Sequence, residues 1–166
     1  MPIAYVALRI LLVANRLSGL AILALLTATF VAPDWTMTAL GITAESSIRT
    51  MLPGLQAIAG LGLLAVLLND IVIRHLLEIV RTVGRGDPFT AANAHRLLAM
   101  AWLLLGLQVI SLIVGAIGKA IETAANPLNL DAGFSPAGWL GVLLTFVLAG
   151  IFSEGTKMRD DLDGTI

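Results

Sequence analysis

Four long apolar runs, separated by short polar connectors, dominate this sequence. Each run is close to the roughly 20 residues that a helix needs to cross a membrane. Hydrophobic residues make up 58% of the chain and charged residues 13%, and the mean hydropathy is +0.94, all typical of a membrane protein. The pattern predicts an all-α fold, a four-helix transmembrane bundle in one integral-membrane domain, residues 1–166. The expected spans are about 8–32, 52–73, 97–118 and 137–152.

Two prolines mark expected helix boundaries. Pro33 ends the first span, because the residue before a proline is pushed out of helical geometry, and a mildly polar loop follows up to Thr50. Pro53 suits the first turn of the second span, where its missing N–H costs little. We expect the N-terminal run to be retained as a span, although its charge pattern is also that of a signal peptide.

The second span does not end with its apolar run. From Arg74 to Val83, apolar residues recur at helical spacing among charged ones, which predicts an amphipathic continuation of the helix. Gly84 to Pro88 then breaks the helix, and Thr90 is a good N-cap for the next one. Spans two and three are therefore expected to extend beyond the bilayer as a helical hairpin, with a connector at residues 74–96.

The cationic residues predict an orientation. Lysine and arginine collect in the cytoplasmic loops of membrane proteins. If the termini and the connector share one side, that side holds eight of the ten cationic residues of the chain. We therefore expect both termini, the connector and the tail at 153–166 to be cytoplasmic.

Composition excludes several classes of function. The net charge of −1 provides no field that would attract nucleic acid, so no direct nucleic-acid binding is expected. The absence of cysteine excludes disulfides, thiolate metal sites and cysteine catalysis. No catalytic residue, metal site or cofactor is expected in the leading interpretation.

A few polar side chains lie inside the apolar runs. Ionisable residues in a membrane are costly and are functional candidates by default. An Arg16–Asp70 pair would lower that cost, although both side chains are also near enough to the inner surface to extend towards the headgroups. Gln56 and Gln108 are suited to hydrogen bonds between helices. The four intramembrane polar candidates are Arg16, Gln56, Asp70 and Gln108.

The two histidines, His75 and His95, lie near the inner ends of spans two and three. Facing histidines on neighbouring helices are able to hold haem or a metal. The simpler interpretation is that both are interfacial polar residues, since no third ligand is evident.

Two motifs carry a resemblance to a known family. Gly86-Asp87-Pro88-Phe89 is followed by Asn93 and Arg96-Leu97, and the chain closes with Phe152, Gly155 and the acidic run 160–166. The sequence resembles the DUF2975 family of bacterial integral-membrane proteins. The resemblance implies four spans, no established catalytic residues, and a gene often found beside that of a small helix-turn-helix regulator.

We therefore expect a non-enzymatic protein of the bacterial inner membrane whose cytoplasmic face binds a protein partner. The tail is acidic, which suits a basic partner such as a small helix-turn-helix regulator held away from DNA. Two other interpretations stay open: a small transporter or channel subunit, which would need a homo-oligomer, and a haem-binding protein using the two histidines. The expected partner-binding residues are Phe89, Asn93, Arg96, Asp160, Asp161, Asp163 and Ile166.

Overall fold

The computed structural model describes residues 2–42, 45–86, 88–122 and 132–163. Throughout these residues the regular secondary structure is α-helical, as the apolar pattern predicts. The helices are α1 (Pro2–Val31), α2 (Pro33–Ala39), α3 (Glu45–Gly84), α4 (Ala91–Ile121) and α5 (Pro136–Asp163).

Helix length confirms the predicted extension of the second span. Helix α3 has 40 residues, which is ~60 Å at about 1.5 Å per residue, or about twice the ~30 Å thickness of the hydrocarbon core. It continues past Arg74 to Gly84, as the amphipathic pattern indicates. Helix α5 likewise runs beyond its apolar stretch and includes most of the predicted tail.

Two boundaries differ from the expectation. Helix α3 begins at Glu45, so Pro53 lies inside the helix and not in its first turn. A proline removes one hydrogen bond, which the remaining ladder of a long membrane helix tolerates. The short helix α2 occupies part of the expected loop; it starts at Pro33, with Asp34 in its first turn. Pro33 therefore interrupts the helix only at Ala32, between the end of α1 and the start of α2.

The chain divides into two compact units. The first contains residues 1–14, 68–107 and 136–166, and the second contains residues 15–67 and 108–135. In the first unit, apolar residues at helical spacing on α3 and α4 pack with α5 around one buried cluster. Its most buried members are Val72, Ile79, Leu97, Met100 and Ala149.

In the second unit, small residues allow close helix contact. The Asn15 side chain of α1 donates a hydrogen bond of 3.0 Å to the carbonyl oxygen of Val66 in α3. A Cβ at Gly19 would lie 2.8 Å from a methyl of the same Val66. Met37 of α2 and Met51 of α3 are both fully buried in a second apolar cluster.

Within the described ranges, four helices are long and apolar enough to cross a membrane, namely α1, α3, α4 and α5. Large apolar side chains remain exposed along each, for example Leu20 on α1 and Leu143 on α5. Exposed apolar surface on this scale is unfavourable in water but matches the acyl chains of a bilayer. The chain is thus a multi-pass membrane protein.

Candidate functional site

Asn93 is the centre of the connector between α3 and α4. Its side chain has no exposed area. The amide Nδ2 donates to the Thr82 hydroxyl at 2.7 Å and to the Pro88 carbonyl oxygen at 2.9 Å, and Oδ1 accepts from Arg96 at 2.9 Å. These three hydrogen bonds connect Asn93 to the end of α3, to the turn and to the next residues of α4. Asn93 therefore holds the connector in shape from inside.

Helix α4 has the predicted N-cap at Thr90, and α3 ends at the predicted glycine-containing break. The Thr90 hydroxyl accepts a hydrogen bond of 3.2 Å from the Asn93 backbone N–H, which is the geometry of an N-cap. At the end of α3, the N–H of Gly86 donates to the Val83 carbonyl oxygen, and Gly86 has a φ of 86°, which favours glycine. The turn is therefore constrained on both sides.

Phe89 fastens this connector to α5. Its ring packs against Phe152, with centroids 5.1 Å apart and planes inclined by 42°. A Cβ at Gly155 would lie 2.8 Å from the Phe89 ring, so only glycine leaves room for the ring here. Phe89 nevertheless keeps 40% of its surface exposed. The side chain is thus both a packing element and part of the outer surface.

A pocket of about 440 Å³ opens where the connector meets α5. We call it the connector pocket. Its cationic members are Arg85, at the end of α3, and Arg159, near the end of α5; the Arg159 guanidinium also donates a long 3.5 Å hydrogen bond to the Phe89 carbonyl oxygen. The residues that line the connector pocket are Arg85, Gly86, Pro88, Phe89, Gly155 and Arg159.

The predicted site residues are only partly brought together. Phe89, Asn93 and Arg96 lie in the connector of the first unit, and Arg96 is engaged with Asn93. Ile166 lies outside the described residues. Three tail residues are in the last turn of α5, but their side chains lie outside the described part: Asp160, Asp161 and Asp163. Their role in partner binding stays a prediction.

Sequence reasoning missed two contacts of the first unit. Arg159 was seen only as part of the tail charge, and Tyr5 was not singled out. The Tyr5 hydroxyl accepts hydrogen bonds from Arg9 at 2.7 Å and from Arg81 at 3.1 Å, which ties the start of α1 to α3. The one available signal was local: Tyr5, the only tyrosine of the chain, precedes Arg9 by one helical turn.

The intramembrane polar candidates have different surroundings. Asp70 pairs with Arg74, one turn further along α3. Arg16 is exposed and Gln56 is half-buried, and both belong to the second unit. Within the described part of the chain, the Gln108 carbonyl oxygen is buried without a hydrogen-bond partner. The Arg16–Asp70 pair and a transport path stay predictions.

The two histidines differ in exposure. His75 is half-buried on α3 and His95 is exposed on α4. The His95 Nδ1 lies 2.8 Å from the Ala91 carbonyl oxygen, so this nitrogen carries the proton and donates. The described ranges contain no group of three His, Cys, Asp or Glu side chains suited to a metal ion. Haem binding by the histidines stays a prediction.

Comparison with known proteins gives one match. The model of a family described as "Protein of unknown function (DUF2975)" matches residues 59–166, which is more than half of the chain. The matched range includes the connector, α4 and all of α5, and therefore both motifs that carry the resemblance. No curated protein and no solved structure matches the chain.

Proposed function

The chain belongs to the DUF2975 family, and we propose that this member is a non-enzymatic protein of the bacterial inner membrane whose cytoplasmic face binds a soluble protein. The proposed partner is a small, basic helix-turn-helix regulator. While it is bound at the membrane, the regulator is kept from its DNA site. The binding surface consists of the exposed part of Phe89 together with the end of α5.

One observation carries this proposal: Phe89 joins the connector to α5 while 40% of its surface remains exposed. Partly exposed aromatic side chains in a well-packed setting are frequent anchors of protein interfaces. The Asn93 hydrogen bonds and the Phe89–Phe152 contact fix the surface before any partner arrives. A surface that is already ordered loses less conformational entropy on binding.

The charge of α5 supports a basic partner. Glu154 and Lys157 form an ion pair one turn apart, so their charges largely offset each other. The other charges at this end of the helix are Arg159 and three aspartates in the last turn, Asp160, Asp161 and Asp163, which leaves an excess of negative charge. A negative helix end attracts a positively charged protein and speeds its association.

The cationic residues support the proposed orientation. Seven of the ten lysines and arginines of the chain lie in the first unit, which contains both termini and the connector. Positive residues favour the cytoplasmic side during insertion. Both termini are therefore proposed to be cytoplasmic. The seven are Arg9, Arg74, Arg81, Arg85, Arg96, Lys157 and Arg159.

The test is a pull-down from native membranes with the full-length protein, read by mass spectrometry. Wild type should capture a basic helix-turn-helix protein, and Phe89→Ala should reduce its yield strongly. The matched control is Phe134→Ala, because Phe134 is 71% exposed but precedes α5 at the opposite end of that helix. Deletion of residues 162–166 provides a second variant that leaves the Phe89–Phe152 contact intact.

Two results would contradict the proposal. In the first, Phe89→Ala and the truncated protein capture the regulator as well as wild type does. In the second, wild type enriches no protein that the truncated form does not also enrich. Thermal unfolding of each variant in detergent shows whether a loss of capture reflects a loss of folding.

A further inference from the structure

The connector pocket includes two guanidinium groups that the protein-binding proposal does not use. It combines two guanidinium groups with the exposed edge of an aromatic ring, in a volume of about 440 Å³. That volume lies within the range of roughly 300–1,000 Å³ that is usual for small-molecule sites. Guanidinium groups bind phosphate oxygens through paired, charge-assisted hydrogen bonds.

The Asn93 side chain and two glycines fix the walls of the connector pocket. Asn93 holds the Pro88 carbonyl oxygen, and Gly86 adopts a positive φ at the end of α3, which places Arg85 beside the turn. On the other side, the absence of a side chain at Gly155 lets the Phe89 ring lie against α5. The two arginines therefore extend from a constrained frame, although both side chains reach solvent.

The depth of the connector pocket along α5 points to the lipid headgroups. The run of exposed, large apolar residues on α5 ends at Ile151, apart from Met158. Gly155 is four residues later, or ~6 Å at about 1.5 Å per residue. The headgroup layer extends roughly 5–8 Å beyond the hydrocarbon core on each side. By this spacing Gly155 is at the level of the lipid phosphates, and the Arg159 backbone, about 12 Å beyond Ile151, is on their aqueous side.

We propose that the connector pocket binds the phosphate of an anionic phospholipid from the cytoplasmic leaflet, with Arg85 and Arg159 as the phosphate ligands. Basic pockets beside transmembrane helices on the cytoplasmic side are a known means of recognising acidic headgroups. The acyl chains of such a lipid lie along the exposed apolar face of α5. The site rests on the proposed cytoplasmic orientation and shares Phe89 with the proposed partner surface, but it does not require the regulator itself.

The experiment measures lipid binding to the full-length protein in detergent by native mass spectrometry. Phosphatidylglycerol is titrated into wild type, the double variant Arg85→Gln with Arg159→Gln, and Lys157→Gln. Lys157 is the matched control because it is on α5, two residues from Arg159, is paired with Glu154 and does not line the connector pocket. Phosphatidylcholine and inorganic phosphate are the comparison probes.

The first bound phosphatidylglycerol should have an affinity roughly tenfold or more lower in the double variant, as expected from the loss of a charge-assisted hydrogen bond. Lys157→Gln should bind like wild type. Phosphatidylcholine, whose choline cation offsets its phosphate charge, should bind wild type more weakly than phosphatidylglycerol does and lose less affinity in the double variant. The affinity of each single arginine variant for phosphatidylglycerol should lie between those of wild type and the double variant. The single variants keep the test valid if the double variant unfolds.

Equal affinity of wild type and both arginine variants for phosphatidylglycerol would overturn the proposal. An equal loss in Lys157→Gln would also overturn it, because attraction would then depend on total charge and not on this pocket. If inorganic phosphate at millimolar concentration displaces the lipid from wild type, the pocket is a site for free phosphate and the lipid assignment is wrong.

Discussion

The side-chain amide of Asn93 donates a 2.7 Å hydrogen bond to the hydroxyl of Thr82, and thereby joins the first turn of α4 to the last turns of α3. The Thr82 hydroxyl in turn donates to the Ile79 carbonyl oxygen at 2.8 Å. The Asn93 and Thr82 side chains thus brace the connector through hydrogen bonds inside the protein. This bracing explains how a short turn is able to hold Phe89 against α5.

Removing Asn93 should destabilise the protein more than removing the N-cap at Thr90. Asn93→Ala removes the donor to the Thr82 hydroxyl, one of the two donors to the Pro88 carbonyl oxygen and the acceptor of Arg96. We expect a loss of about 2–4 kcal/mol in the free energy of unfolding. Thr90→Ala should cost about 1 kcal/mol. The measurement is unfolding in detergent, with Thr27→Ala as control, because the exposed Thr27 hydroxyl bonds only within α1. Unchanged unfolding of both connector variants would show that the motif serves a partner instead.

Alanine substitutions at two glycines of α5 should change the stability of the protein in opposite directions. Gly155→Ala places a methyl group 2.8 Å from the Phe89 ring and should cost about 1–3 kcal/mol, because the ring has to leave Phe152. Gly150→Ala meets nothing within 4 Å and should be neutral or stabilising by up to about 1 kcal/mol, from helix propensity. Thermal unfolding of both variants gives the comparison. If both raise the melting temperature, the Phe89 position described here is wrong.

Alanine substitutions at Gly115 and Gly60 test the packing of the second unit. A Cβ at Gly115 would lie 2.8 Å from the Cα of Gly133 and 2.9 Å from the Ala132 carbonyl oxygen, and backbone atoms yield less easily than side chains. Gly115→Ala should therefore cost about 1–3 kcal/mol. The same substitution at Gly60, where nothing lies within 4 Å, is the control. Equal melting temperatures of the two variants would contradict the close approach at Gly115.

Topology is open to a direct test with reporter fusions. Fusions after Asp34 and after Asn126 should be active only with a periplasmic reporter. Fusions after Gly86 and after Ile166 should be active only with a cytoplasmic one, because eight of ten cationic residues then lie inside. Periplasmic activity of the fusion after Gly86 would reverse the proposed orientation and with it the cytoplasmic binding surface.

The salt dependence of partner capture tests the role of the α5 carboxylates. Replacing Asp160, Asp161 and Asp163 by asparagine should weaken capture most at low ionic strength, because charge attraction between exposed groups is screened within ~10 Å at 0.1 M salt. The variant should insert and unfold like wild type. Measuring association rates at several salt concentrations provides the comparison. A loss that is the same at all salt concentrations would argue against electrostatic attraction.

Local features were predictable because they depend on neighbouring residues. The extension of α3 past Arg74 followed from the spacing of Leu76, Ile79 and Val83, which lie in or against the buried cluster of the first unit. The Thr90 cap followed from residue type and position. Helix α2 and the internal position of Pro53 were missed. Met37 of α2 and Met51 of α3 share a buried cluster, a contact that local propensity does not indicate.

The sequence by itself determined that this chain is a helical membrane protein with four spans and an extended connector, because helical periodicity and bilayer thickness act over one turn or one span. Only the tertiary structure decided which side chains meet. Arg81 reaches Tyr5 across 76 positions of sequence, and Arg159 reaches Phe89 across 70. Such pairs depend on how helix faces pack, and small differences at Gly155 or Asn93 determine that packing.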